Sequence, residues 1–342
     1  MTATVNLDAW ARDVPRPVID VLAKGREVLV VSHENPDADT LGAALGIRAV
    51  LASRGARVTL VCTDVPPPLY AFLPGIADFR TDPDEAVPYD LLVIVDCGSL
   101  DRVGAVRDRH PDLFAALPTV VIDHHASNGA TGSSDWVEPS AAATCEMVAL
   151  VATAFGTPLD TGGGALATAL MAGIIMDTAT FAHPNATPRT LAVSAALMEA
   201  GAPLSEISRL LYRSKPDTQL RLFGRVLDRL STSAEGLVVH STLTLADIAD
   251  TGALSSHSEG IIDLLSQAEN AEVAILFKEA GPATTRISVR TRPGGVDATV
   301  LTGLFGGGGH ARAAGASVAV DAVDARVAVL READRLARAV RR

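Results

Sequence analysis

Short aliphatic and β-branched runs alternate with alanine-rich stretches over the first half of the chain. EVLVVS, ARVTLVCT, YDLLVIVDCG and PTVVIDHH are each bounded by polar or turn residues, the pattern of strands buried on both faces of a parallel sheet. Between them lie segments such as TLGAALGIRAVLASRG, whose spacing is helical and which Gly55 closes as a C-cap. The alternation predicts βαβ units, hence an α/β fold with a doubly wound, mainly parallel sheet. In such sheets ligands sit beyond the carboxyl ends of the strands, so residues that directly follow the strands gather at one edge. Further on, SEISRLLYRSKPDTQLRLFGRVL reads as a polar helical connector punctuated by Pro216.

Composition narrows the class. At 342 residues with 48% apolar and 20% charged content, the chain is long enough for two domains with cores of their own. The N-terminal MTATVNLDAWARDVPRP carries no apolar signal core, and no apolar run reaches the ~20 residues a bilayer requires. A cytoplasmic protein without membrane contact is expected. Cys62, Cys97 and Cys145 form no CxxC pair and are expected as small buried hydrophobes, not as a disulfide framework or a thiolate zinc site. A formal charge of -11 argues against a partner of long duplex nucleic acid. The charge is uneven, with ten arginines against five acids from Gly281 to Arg342. Metal-binding carboxylates opposite an arginine phosphate clamp would give that split. For the final VLREADRLARAVRR, a solvated amphipathic helix accounts for the charges.

The chemistry lies just after the strands. His33, Asp37 and Asp39 follow the first, Asp96 the third, and Asp123, His124 and His125 the fourth, while the helical run GGGALATALMAGIIMDTATF ends on Asp177. Any one of these aspartates alone is better explained as a turn former or helix cap. Together at one edge they would repel one another unless cations lay among them. Oxygen and imidazole donors without thiolate suit Mn²⁺, with Mg²⁺, Co²⁺ or Fe²⁺ as alternatives. There are enough donors for two ions sharing a carboxylate, which would support hydrolysis of a phosphate ester.

VIDHHAS, with SHENPDADTLGAALG, VDCG and MDTATF, resembles the motifs of the DHH phosphoesterase superfamily, and VRTRPGGVDATVLTGLFGGGGHARAAG resembles the DHHA1 signature. The pairing is most similar to the oligoribonuclease (nanoRNase) and PAP phosphatase branch, which includes stand-alone cyclic-di-AMP phosphodiesterases. The resemblance implies a DHH domain over 1–200, a helical connector over 201–235, and a smaller α/β DHHA1 domain over 236–342, with the active site in the interdomain cleft. It implies two divalent ions: one on His33, Asp37 and Asp96, the other on Asp39, Asp96, His124 and Asp177, with Asp96 as the bridge. His125 is expected at the scissile phosphate and Asp123 behind the histidines, orienting them. A homodimer is implied as well. Glu34 drops out as structural, and Asn35 is read equally as an Asx turn before Pro36.

In the second domain, Gly307, Gly308 and Gly309 would let the backbone approach a phosphate or base, with His310 and Arg312 beside them. Arg290 and Arg292 alternate along an expected strand and would grip a terminal phosphate. The fourth motif departs from the family's pattern, since Ala182 follows Phe181 where a longer polar residue is usual. His183, Asn185 or Arg189 would have to supply that contact. With 4% aromatic residues a long stacking platform is not expected, which favours short oligoribonucleotides, linear or cyclic dinucleotides and 3′-phosphoadenosine 5′-phosphate. An inorganic pyrophosphatase with similar metals, or a non-catalytic nucleotide sensor, are the alternatives.

Overall fold

A computed structural model of the chain describes residues 5–129, 132 and 134–341. The chain divides into two compact units, Met1–Ser214 and Lys215–Arg342. In the first, the apolar runs become β1 (Glu27–Val31), β2 (Arg57–Val61), β3 (Leu91–Val95) and β4 (Thr119–Asp123), joined by the short β5 (Trp136–Val137). All pair in parallel, in the order β2-β1-β3-β4-β5. Every residue of β3 is buried, as befits a central strand covered on both faces. The doubly wound α/β expectation is met.

The order places a topological switch point between β1 and β3, because the chain leaves β1 toward one side for β2 and returns on the other for β3. Ligand crevices of open α/β sheets form at such points. His33 lies just past β1, Asp96 directly follows β3 and Asp123 ends β4.

Over one face lie the helices Ala38–Ala52, Thr144–Ala154 and Ala165–Thr178, all largely buried. Small residues let them meet closely. A methyl added to Gly42 would lie 2.4 Å from the Ala169 carbonyl oxygen, and one on Gly173 would lie 2.4 Å from both Asp39 Oδ1 and Cys145 Sγ. The three cysteines are free and buried, as small hydrophobes should be.

The second unit is built on a mixed sheet in the order β10-β11-β9-β8-β7-β6. Its strands are β6 (Ser231–Ser233), β7 (Val238–Leu243), β8 (Val273–Gly281), β9 (Thr284–Thr291), β10 (Gly308–His310) and β11 (Ala313–Val318). Only β7 and β8 pair in parallel. The helix Ala322–Val340 buries Ala325, Val329, Ala333 and Ala337 against a core that includes Ile275, Phe277, Ile287 and Val289. The stretch between the sheets is divided between the units: the helix Leu204–Tyr212 belongs to the first and Asp217–Asp228 to the second. No helix among the described residues is long and apolar enough to cross a membrane.

Candidate metal centre

Three loops and two helix ends bring the acids and imidazoles together. After β1 the chain turns through Asn35, at φ 51°, and Asp37 caps the following helix. Its Oδ1 accepts from the amides of Asp39 at 2.9 Å and Thr40 at 3.2 Å. The same oxygen lies 3.8 Å from His33 Nε2. Cap and ligand are therefore not competing explanations for Asp37, since one carboxylate serves the helix and faces the cluster. His33 is 2% exposed, with Nδ1 2.6 Å from the Glu34 carbonyl. That contact assigns the proton to Nδ1 and leaves Nε2 toward Asp37 and toward Asp96 Oδ2, 3.6 Å away.

Asp96 follows β3 at φ 58°, a left-handed conformation that Asp and Asn tolerate better than other side chains. Its Oδ1 accepts from Thr144 Oγ1 at 2.9 Å and lies 3.5 Å from His124 Nε2. His124 Nε2 is also 3.1 Å from Asp177 Oδ2. Asp39 is fully buried at the start of the Thr144–Ala154 helix, where its two oxygens accept from the amides of Thr144 at 2.7 Å and Cys145 at 2.9 Å. A helix N-terminus is a natural seat for a carboxylate.

These positions form two donor groups, His33–Asp37–Asp96 and Asp39–His124–Asp177, with the donor atoms of each within 4.8 Å of one another. Asp96 borders both. A third group, Asp96–His124–His125, is the poorer donor set because His125 Nδ1 is already hydrogen-bonded to Asp123 Oδ1 at 2.8 Å. Asp123 is fully buried and also accepts from the Gly98 amide at 2.6 Å, the His125 amide at 2.9 Å and Asn128 Nδ2 at 2.5 Å. Burial alone would raise its pKa, but the bonds from His125 and Asn128 prevail and hold it at about 2.

The electrostatics of the cluster have one sense. Burial, then the neighbouring Asp177 charge, pushes Asp39 up to about 7. Burial and the Asp39 charge likewise push Asp96 up. Burial opposes charge on His33 and His124 too, yet the neighbouring Asp37 and Asp96 carboxylates lift His33 to about 10, and a hydrogen bond to Asp177 with the Asp39 charge lifts His124 to about 10. Reluctant carboxylates and retained imidazole protons both mark a site short of positive charge. Oxygen and nitrogen donors in two adjoining groups, without thiolate, fit a pair of hard or borderline divalent cations.

The fourth-motif loop is anchored by its own polar groups. Ala179, Thr180 and Phe181 all have positive φ, turning the chain sharply after Asp177. Asn185 Nδ2 donates to the carbonyls of Ala142 at 3.0 Å and Asp177 at 3.3 Å, and His183 Nδ1 lies 3.1 Å from the same Asp177 carbonyl. Arg189 is bound at 2.5 Å by the buried Glu146 and at 2.6 Å by Glu138, so its guanidinium serves the packing of this loop.

In the second unit the glycine run does not open a helix. It follows the helix Ala298–Gly303 and forms the β10–β11 hairpin. A methyl on Gly307 would lie 2.2 Å from the Gly315 carbonyl oxygen, and one on Gly309, at φ 139°, would lie 2.6 Å from that of Ala313. Close strand approach explains both glycines. Gly308 and His310 stay exposed in β10. Arg290 lies on β9, an inner strand, and is paired with Asp263 at 3.0 Å. Arg292 just follows β9 and donates to the carbonyls of Ala268 and Glu269, and Arg312 to that of Arg292.

Thr144, Cys145, Gly98 and Arg102 belong to the site's surroundings without having been singled out from the sequence. The small-residue run AAATC before a helix is the faint signal for the first two. Arg102 carried no signal beyond its place in the loop after β3.

Comparison with known proteins adds an independent finding. The DHH family N-terminal domain matches residues 27–174, and the DHHA1 domain matches residues 238–335. The chain is 31% identical over 292 residues to the bifunctional oligoribonuclease and PAP phosphatase NrnA of Thermus thermophilus, covering 85% of this chain and 84% of that one. It is 28% identical to the cyclic-di-AMP phosphodiesterase GdpP of Geobacillus thermodenitrificans, covering 94% of this chain and 49% of that one. The crystal structure of an exopolyphosphatase-related protein from Bacteroides fragilis matches with a TM-score of 0.82 at 22% identity, over 95% of this chain and 98% of that one. That last likeness is one of fold.

Proposed function

The chain belongs to the DHH family and carries a DHHA1 domain, and from that premise we propose that it is a two-metal phosphoesterase acting on short RNA and small nucleotides. The substrates proposed are short oligoribonucleotides, pApA, cyclic-di-AMP and 3′-phosphoadenosine 5′-phosphate. The observation that carries the reading is Asp96, whose two carboxylate oxygens face separate donor groups at the β1/β3 switch point.

In this proposal His33, Asp37 and Asp96 hold one divalent cation, and Asp39, Asp96, His124 and Asp177 the other, with Mn²⁺ the favoured ion. Such a pair, when bound, neutralises phosphoryl charge and lowers the pKa of a water during in-line displacement. The chain's own residues do the rest. His33 Nδ1–H donates to the Glu34 carbonyl, which leaves the Nε2 lone pair for a cation. Asp123 accepts a hydrogen bond from His125 Nδ1–H, which orients that ring and leaves its Nε2 for a phosphate oxygen. The Thr144 and Cys145 amides fix Asp39 so that it need not reorganise. Arg290, Arg292, Arg312, His310 and the Gly307–Gly309 backbone are proposed as contacts for the remainder of the nucleotide. A homodimer acting in the cytoplasm completes the proposal.

The test is turnover by the purified protein with Mn²⁺, offered pApA, cyclic-di-AMP, 3′-phosphoadenosine 5′-phosphate and pyrophosphate in parallel. Hydrolysis of one or more of the three nucleotides is expected. Turnover of pyrophosphate alone would sink the nucleotide reading, and tight nucleotide binding without turnover of any would make the protein a sensor.

A further inference from the structure

Arg102 lies in the turn Leu100–Val103, directly after the β3 loop that carries Asp96. Its carbonyl accepts from the Glu34 amide at 2.7 Å, which ties this turn to the loop after β1. Its side chain reaches back over the cluster. Nη2 lies 3.2 Å from His33 Nδ1, and Nη1 would lie 3.5 Å from a methyl placed on Gly98, itself 3.4 Å from His125 Cγ. The guanidinium therefore borders both His33 and the Gly98–His125 flank.

Two features set this arginine apart. Among the described residues it has no carboxylate partner, and the His33 contact is its one side-chain hydrogen-bond contact. That contact does not use the guanidinium's donors. His33 Nδ1 already directs its proton to the Glu34 carbonyl at 2.6 Å, so donor meets donor there. By contrast Arg189, in the same unit, is held by two glutamates. An arginine beside a catalytic cluster with its fork unspent is suited to a phosphate, whose oxygens accept two parallel N–H bonds.

We propose that Arg102 is a substrate-contacting residue of this site, gripping non-bridging oxygens of the scissile phosphate from the wall formed by the loop after β3. The proposal rests on the phosphoesterase reading, and it places a phosphate-binding guanidinium within the unit that carries the metal-ligand residues.

The experiment measures three things on wild type, Arg102→Gln and Arg102→Lys: Mn²⁺ affinity by titration calorimetry, affinity of the Mn²⁺-loaded protein for inorganic phosphate, and KM and kcat on whichever nucleotide wild type hydrolyses. Loss of a charged bidentate contact should weaken phosphate binding about 10- to 100-fold in Arg102→Gln. Mn²⁺ affinity should be unchanged, and Arg102→Lys should be intermediate. Phosphate affinity equal to wild type overturns the proposal. So does a parallel fall in Mn²⁺ affinity, which would mean that Arg102 merely braces His33. If Arg102→Gln does not fold, as judged by its melting curve, Arg102→Lys carries the test, and wild-type phosphate affinity there overturns it. A wild-type protein that binds Mn²⁺ but neither binds phosphate nor hydrolyses any nucleotide would bring down the phosphoesterase reading itself, whereas retained wild-type function with an unaffected variant brings down Arg102 alone.

Discussion

Asp96 combines an uncommon backbone conformation with the most central position in the cluster. At φ 58° Asp and Asn are tolerated better than alanine because their short polar side chains can hydrogen-bond locally, so Asp96→Ala mixes a backbone effect with loss of a ligand. Asn tolerates this conformation and keeps the shape of Asp while removing the charge. Asp96→Asn is therefore expected to lower turnover more than about a hundredfold and to reduce the Mn²⁺ bound per chain, with an unchanged circular dichroism spectrum. Activity near wild type in that variant would refute the bridging role. The position of Asp96 after β3 is legible in VIVDCG, and so is the kind of donor. Its left-handed turn and its bond from Thr144, 48 residues away, are not, because they depend on the neighbouring helix coming to rest against the loop.

At the scale of elements, the site depends on how closely three helices approach. Gly173 lets Ala165–Thr178 pack against Asp39 and Cys145, and an added methyl there would meet both at 2.4 Å. Gly46, on the Ala38–Ala52 helix, is also tight, but its neighbours are the Leu170 and Val148 side chains at 2.7 and 2.8 Å, away from the acids. Both Gly→Ala changes should destabilise the protein by about 1–3 kcal/mol through overpacking, measured by urea denaturation. Only Gly173→Ala should also weaken Mn²⁺ binding, because it alone displaces a proposed ligand. Equal Mn²⁺ affinities in the two variants would show that helix spacing does not tune the site. The helices themselves are readable from their spacing and caps, as with Thr187 and Pro188 at the start of Pro188–Glu199. Their separation is set by side-chain interlock that no single segment contains. The glycine run, expected to let the backbone approach a phosphate or base, forms a hairpin in which Gly307 and Gly309 are needed where strands come close, a register that the run alone does not display.

For the whole molecule, the sense of the electrostatics gives a measurable consequence. Buried carboxylates without a compensating cation tax the folded first unit, so an ion bound there should stabilise it by mass action, about 2.7 kcal/mol at a hundred times its Kd. Both tryptophans, Trp10 and Trp136, lie in that unit, so their fluorescence reports its melting. Mn²⁺ should raise the transition temperature and a chelator should reverse the shift, and an unmoved transition would refute the metal centre. By itself the sequence determined the parallel sheet, its ligand edge and the residue types gathered there. Each of those follows from local hydrophobic runs and from the rule that βαβ units place strand ends together. Tertiary structure decided how each of these side chains is held: Asp39 by the amides of Thr144 and Cys145, 105 and 106 residues distant, Arg290 against Asp263, and Arg102 against no acid among the described residues. Those partnerships are settled only when separate segments pack, because a hydrogen bond depends on ångström-scale distance and direction, which periodicity along the chain does not carry.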